Sequence, residues 1–195
     1  MVNYDEIFAA HPGKWSSAQR DEYAFNALNK HIGEPTALLD IGCGNGHTLK
    51  YFSHRWKNTA YYGIDLSRVG IDLARKAVPS GTFEVASLLT YFPGRKFPVV
   101  VCMGVMEHFK NLPAHLQRIR GLLEPDGVVY VEAPNSLGGG TEEGYRPHGT
   151  QEEWHLKRTS WEKILAEAGL NILKAITGPG AYMEFIWLLN TSAPK

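Results

Sequence analysis

The chain has 195 residues, 44% of them hydrophobic, which suits one domain with a sizeable core. Lysine plus arginine equals aspartate plus glutamate at 20 each, so no basic surface calls for a nucleic-acid backbone or an acidic membrane. Cys43 and Cys102 give neither a disulfide framework nor a zinc spacing. The opening MVNYDEIFAAHPGKW lacks the apolar core of a signal peptide, and no run approaches the ~20 apolar residues of a membrane helix. A cytoplasmic protein is expected, with small or neutral partners open to it.

In chain order, residues 13–32 read as an N-terminal helix with aromatic faces, Trp15, Tyr23 and Phe25. ALLDIG (37–42) reads as a buried strand, HTLKYFSHRW (47–56) as a helix and AYYGID (60–65) as a second strand. SRVGIDLARKAV (67–78) is a helix with Ser67 as its N-cap and Pro79 beyond its end. TFEVAS (82–87) and PVVVCMG (98–104) are strands, and AHLQRIRGLL (114–123) is a helix stopped by Pro125 and Gly127. VVYVEAP (128–134) is the fifth strand. TSWEKILAEAG (159–169) is a helix capped by Thr159 or Ser160, and NILKAIT (171–177) and MEFIWLLN (183–190) are the last strands.

Strands alternating with helices imply a parallel sheet covered on both faces and wound right-handedly. The short GPGAY between the last two strands makes the final one antiparallel to its neighbour. The expected fold is α/β: a doubly wound, Rossmann-like, seven-stranded and mostly parallel sheet with the last strand antiparallel. One irregular stretch, NSLGGGTEEGYRPHGTQEEWHLK (135–157), is too long for an idle connection and reads as a lid or substrate loop.

Open doubly wound sheets bind ligands at the carboxyl ends of their strands. The first strand-to-helix turn holds DIGCGNG, with Gly42, Gly44 and Gly46 at every second position. Glycine permits a sharp turn and lets a ligand approach the backbone. The spacing is not that of the dinucleotide fingerprint, because His47 stands where its third glycine would be; this disfavours a nicotinamide-dependent oxidoreductase. Asp40 is poorly placed for a pyrophosphate and suits a ligand with an amino group and a positive centre. Asp65, at the end of the second strand, can accept hydrogen bonds from both hydroxyls of a ribose. A cationic, adenosine-type ligand fits both acids. The plain alternatives are a tight turn for the glycines, a helix-start acid for Asp65 and a pairing with a loop amide for Asp40.

DIGCGNG, YGIDLS, MGVMEHF and LLEPDGVVYVEAPN, in that order, resemble the successive motifs of the class I S-adenosylmethionine-dependent methyltransferases. The similarity runs over roughly residues 37–190. It implies one methyltransferase domain over 1–195, with an N-terminal helical segment (about 1–33) and a lid-like insertion (about 135–157). It also implies roles residue by residue. Asp40 and the loop Gly42, Cys43, Gly44, Asn45 and Gly46 would face the methionine end of the cofactor. Asp65 would hold the ribose, and Leu66 would flank the adenine. Ser87 and Leu88 would meet the adenine edge, Ser87 standing where many members carry an aspartate. Met103 and Gly104 would lie beside the methionine moiety, and His108 near the transferring methyl. The cofactor would be S-adenosyl-L-methionine and its product S-adenosyl-L-homocysteine, with no metal.

Methyl transfer from a sulfonium is an in-line displacement, and a base is needed only if the acceptor must lose a proton. His108, His148 and His155 are the candidate catalytic residues, with Glu107 as a further base. Their clustering with glutamates favours oxygen over nitrogen or carbon as the methylated atom. MGVMEHF lacks the N/D-P-P-Y sequence of DNA amino-methylating enzymes and the paired glutamates of protein-arginine enzymes. The EHF segment, the PN after the fifth strand and the later EWH resemble the small-molecule branch. The expected partner is a small-molecule acceptor, with no nucleic acid and no membrane, in a monomer or homodimer. A non-catalytic, cofactor-binding sensor or partner subunit is the competing reading.

Overall fold

Residues Ala37–Ile41 form β1, and every side chain in it is buried. That requires covers on both faces, and the computed structural model, which describes residues 3–134, 143–148, 151–177 and 185–191, supplies them. β1 pairs in parallel with β2 (Ala60–Asp65) on one side and β4 (Phe97–Met103) on the other. β3 (Thr82–Val85) extends the sheet beyond β2, and β5 (Leu123–Ala133) beyond β4. β8 (Asn171–Thr177) and β9 (Phe185–Asn190) complete it in the order β3-β2-β1-β4-β5-β9-β8. The final strand is antiparallel to both its neighbours, β5 and β8.

Alternation along the central strands divides the core in two. Leu39, Ile41, Val100 and Cys102 meet α5 (Leu112–Leu122) and α6 (Arg158–Glu167) through Leu116, Ile119, Trp161 and Leu165. Leu38, Val99 and Val101 meet α2 (Ala18–Ile32), α3 (His47–Ser53) and α4 (Arg68–Ala77) through Leu28, Phe52, Ile71 and Ala74. Cys102 is a core residue, and burial pushes its thiol well up.

The structure differs from the sequence reading in several elements. The N-terminal segment is two helices, α1 (Tyr4–Ala10) and α2, because Pro12 and Gly13 fall between them and Ser17 caps α2 through the Arg20 amide. Trp15 therefore sits in a turn at φ 64°, not on a helix. α3 ends at Ser53, short of Trp56. α6 is preceded by Lys157, with no capping side chain from Thr159 or Ser160.

The stretch read as irregular contains a hairpin, β6 (Gly144–His148) with β7 (Gln151–His155). Its polar, proline-bearing sequence hides the strand pattern. The Tyr145–Trp154 cross-strand pair, with ring centroids 5.3 Å apart, appears only once the register is known. The GGG at 138–140 lies outside the described residues. Among the described residues, no helix is long and apolar enough to cross a membrane.

Candidate active site

A cavity of about 700 Å³ opens at the carboxyl ends of β1, β2, β4 and β5. Its floor on one side is the glycine loop. The Gly42 and Cys43 amides donate to the Ile64 carbonyl at 2.8 and 3.0 Å, which bends the chain out of β1 across the end of β2. Gly42 and Gly44 take φ +73° and +49°, a region that side chains disfavour. A Cβ on Gly42 would run into Val105, and one on Gly44 would stand 2.8 Å from the Phe8 ring. Gly46 has a different job: it does not line the cavity, and a Cβ there would meet the Ala74 backbone of α4 at 2.9 Å. It lets α3 and α4 pack closely.

Asp65 ties this end together. Its Oδ2 accepts from the Gly44 amide and its Oδ1 from the Ser67 amide, each at 2.8 Å. Burial nonetheless raises its pKa. Asp40 lies deeper, and burial, then the Asp21 and Asp65 charges, push its carboxyl well up. Asp21 is raised by burial too, although Thr48 donates to it at 2.8 Å and His47 pairs with it. Three crowded carboxylates, each made costly to ionise by burial, are a set that a cationic ligand relieves. Each Asp65 oxygen also keeps a lone pair for a further donor. The residues present therefore fit a ligand with a sulfonium, an ammonium and a ribose diol.

Of the residues expected from the sequence to hold the cofactor, Asp40, Gly42, Cys43, Gly44, Asn45, Asp65, Leu66, Ser87, Leu88, Met103, Gly104 and His108 line this one cavity. Cys43 is buried and its thiol pKa is pushed well up by burial, so it is a small wall residue, not a nucleophile. Ser87 lies within 2.9 Å of the Thr90 hydroxyl, in a turn at the rim.

The other end of the cavity is built from side chains distant in sequence. After β4, a 3₁₀ turn (Met106–His108) presents Glu107 and His108. Glu107 is 4% exposed, its Oε2 has no hydrogen-bond partner, and its pKa is raised to about 8, chiefly by burial and then by Glu153. Arg20 of α2 reaches Glu132 of β5, with its Nε at 2.7 Å and a terminal nitrogen at 2.6 Å from Oε1. Gly104 takes φ +64°, and a Cβ there would stand 3.3 Å from that guanidinium.

The β6–β7 hairpin docks on the 3₁₀ turn. Trp154 Nε1 donates to the Phe109 carbonyl at 3.0 Å, and His108 Nδ1 lies 3.1 Å from the Glu152 carbonyl. Gln151 and Glu153 thereby join the lining. His155, buried beside Glu153 at 3.7 Å, is not a lining residue, and the His148 side chain lies outside the described residues.

The N-terminal segment closes one side. Phe8 packs edge-on against Trp15, with centroids 5.5 Å apart, and both line the cavity, whereas Tyr23 packs against the core. Asp5 Oδ1 accepts from the Ser67 hydroxyl at 2.6 Å and the Val69 amide at 3.0 Å, which fixes α1 on the start of α4. Asn45 donates to the Pro12 carbonyl at 2.6 Å and the Ser16 hydroxyl at 2.9 Å. Sequence reasoning missed Tyr4, Phe8, Arg20, Asp21, His47 and Glu132. Glu132 lies within the quoted LLEPDGVVYVEAPN but was given no role there, and the other five lie outside the quoted motifs, on segments whose local pattern records only packing. Among the described residues, no group of three or more His, Cys, Asp or Glu is arranged to hold a metal ion.

The family model for a methyltransferase domain matches residues 16–175. A trans-aconitate 2-methyltransferase of Rhodopseudomonas palustris is 30% identical over 153 residues, 78% of this chain and 57% of that protein. A dTDP-3-amino-3,4,6-trideoxy-alpha-D-glucopyranose N,N-dimethyltransferase of Streptomyces venezuelae is 32% identical over 131 residues, 65% of this chain and 54% of that protein. The chain thus spans little more than half the length of these relatives. In fold it is similar to the SAM-bound amino pentose methyltransferase CalS10 of Micromonospora echinaspora, with a TM-score of 0.75 and 16% identity over 98% of this chain and 99% of that one.

Proposed function

The chain belongs to the methyltransferase-domain family, of the class I S-adenosylmethionine-dependent kind, and from that membership we propose that it moves a methyl group from S-adenosylmethionine to a small-molecule acceptor. The observation that carries this reading is the pair Asp40 and Asp65, flanking a glycine loop held at positive φ where β1 and β2 end. When bound, the cofactor supplies an electrophilic methyl on a positively charged sulfur.

The chain's residues do the rest. Asp65 accepts from the ribose hydroxyls while its other lone pairs stay on the Gly44 and Ser67 amides. Asp40 offsets the positive charge at the methionine end, with Gly42, Cys43, Gly44 and Asn45 leaving the approach open. Leu66, Ser87 and Leu88 receive the adenine, and Met103 and Gly104 border the methionine chain. His108, Glu107 and the docked hairpin bound the space left for the acceptor, where alignment with the methyl and exclusion of water contribute most of the rate. The relatives named act on a small polycarboxylate and an amino sugar nucleotide, which supports an acceptor of that size. The helical segment before residue 33 and the region 135–157 belong, in this reading, to one methyltransferase domain. We assign it to the cytoplasm.

Calorimetric titration tests the reading. S-adenosylmethionine and S-adenosylhomocysteine should each bind one site per chain, and NADH should not bind. Binding of NADH in preference, or of neither methyl-cycle ligand, refutes it.

A further inference from the structure

Resting on the methyltransferase reading, we infer that Asp5, on the N-terminal helix and remote in sequence from the glycine loop, is a positioning residue for the cofactor's ribose: it aims Asp65 by way of Ser67. Asp5 does not line the cavity, so it acts through Asp65 and touches no ligand.

To hold a ribose, both oxygens of Asp65 must direct a lone pair at a hydroxyl, and a carboxylate that swings loses one bond of the pair. Its orientation is set by the two amides that donate to it, Ser67 to Oδ1 and Gly44 to Oδ2, each at 2.8 Å. A bond of this kind is only as well aimed as its donor. Neither donor sits inside a helix or strand. Ser67 is the extended N-cap residue of α4, and Gly44 stands in the glycine loop at φ +49°. Their places depend on what packs against them.

α1 packs against both. Asp5, 62 residues before Ser67, accepts from the Ser67 hydroxyl at 2.6 Å and from the Val69 amide at 3.0 Å, both on Oδ1. The Ser67 oxygen in turn accepts from the Gly70 amide at 2.9 Å. Two first-turn amides of α4 are thus satisfied, one by its own cap and one by a carboxylate from another helix, where the dipole favours negative charge. Ser67 is held at both its ends, amide on Asp65 and hydroxyl on Asp5. That hydroxyl is the chief cause holding the Asp5 carboxyl below its usual range. Phe8, three residues on along the same face of α1, is buried against the other donor. A Cβ on Gly44 would stand 2.8 Å from its ring, and one on Gly70 3.3 Å. One helix face therefore backs both arms of Asp65, polar on the Oδ1 side and apolar on the Oδ2 side. Docking α1 on α4 would need only the apolar contact that Phe8 already supplies. The added carboxylate carries a cost, since its charge is among those that raise the pKa of Asp65. What it adds in return is the fixed direction of Ser67.

The test is a double-mutant cycle, read by calorimetric titration of S-adenosylhomocysteine into the full chain. That ligand keeps the ribose and has no sulfonium, so the result does not depend on attraction between Asp5 and a charged sulfur. Asp5→Ala should weaken binding about tenfold while the circular dichroism stays that of the parent. Asp5→Asn should stay within about threefold of the parent, because one oxygen accepts both bonds and asparagine keeps such an oxygen. In the Asp65→Ala background, Asp5→Ala should cost less than about twofold, since no carboxylate is left to aim. Should Asp5→Ala not fold, Ser67→Ala, which loses the hydroxyl and keeps the amide, takes its place in the cycle with the same expectations. The proposal is overturned by unchanged affinity in Asp5→Ala, by a loss in Asp5→Asn as large as in Asp5→Ala, or by losses from Asp5→Ala and Asp65→Ala that add in full. Each of these leaves Asp5 as no more than a tie between two helices. A parent chain that does not bind S-adenosylhomocysteine overturns the methyltransferase reading itself, and this inference with it.

Discussion

At the glycine-loop end of the cavity, the walls are backbone. Amides of Gly42, Cys43, Gly44 and Ser67 fix the loop against β2 and Asp65, and the local sequence dictates the shape. At the other end, around Glu107, the walls are side chains from α1, α2, β5 and β7, whose sequence positions span 4 to 153. The first end is therefore rigid in form and readable in one motif. The second is assembled by the fold, and its chemistry changes with any of several substitutions that leave the sheet intact. One end is suited to a constant ligand, the other to a variable one.

Five substitutions break or sharpen this contrast, the largest first. Gly44→Val should abolish cofactor binding in a protein that stays folded by circular dichroism. It needs a branched residue at φ +49° and puts a Cβ 2.8 Å from Phe8. Calorimetry detecting S-adenosylmethionine binding at the parent affinity would show that the loop faces something else. Next, His108→Ala should lower kcat about a hundredfold if the imidazole takes part in proton transfer, with cofactor affinity nearly intact. His155→Ala should leave both close to the parent values, since His155 does not line the cavity. Equal losses from the two would merge what the structure separates.

Asp65→Ala should cost roughly ten- to a hundredfold in cofactor affinity, as expected for charge-assisted bonds of about 1.5–3 kcal/mol. Unchanged affinity by titration removes Asp65 from the ribose.

The smallest effect is one of stability. Burial raises the Asp40 pKa in the fold above its unfolded value, so above pH 3.8 the folded state binds more protons, and stability falls as pH rises. Asp40→Asn should therefore raise Tm at neutral pH, at about 2–4 °C per kcal/mol for a chain of this size, while weakening cofactor binding. A lower Tm in scanning calorimetry would mean that the carboxylate is stabilising as it stands.

Legibility in the sequence followed the same division. Apolar runs such as ALLDI and PVVVCM gave β1 and β4 within a residue, and Ser67 capped α4 as read, because these signals are local. DIGCGNG and the aspartate ending β2 mark one end of the cavity in the sequence itself. Arg20 and Asp21 were invisible as site residues because, on an amphipathic helix, they look like ordinary solvated charges; only the docking of α2 turns them inward. The hairpin was missed because Pro147 and the charged run QEEWH suppress the strand pattern, and its stability comes from Trp154 and Tyr145 reaching the Phe109 and His108 carbonyls. The family resemblance puts Gly46 in the cofactor loop, whereas its close contact is with Ala74.

The placement of β9 between β5 and β8 has a consequence for how the molecule is made. During synthesis β8 leaves the ribosome before β9, its sheet neighbour among the described residues, exists. Until residues 185–190 emerge, β5 presents an open edge of valines, Val129 and Val131 among them, and Trp161 lacks the Trp187 ring that packs 6.4 Å from it. An unpaired apolar edge of this kind invites pairing with another chain. The nascent protein is therefore most exposed to aggregation in the interval between the two strands. A stop anywhere in that interval should yield insoluble product, although every residue named for the cofactor has already been translated.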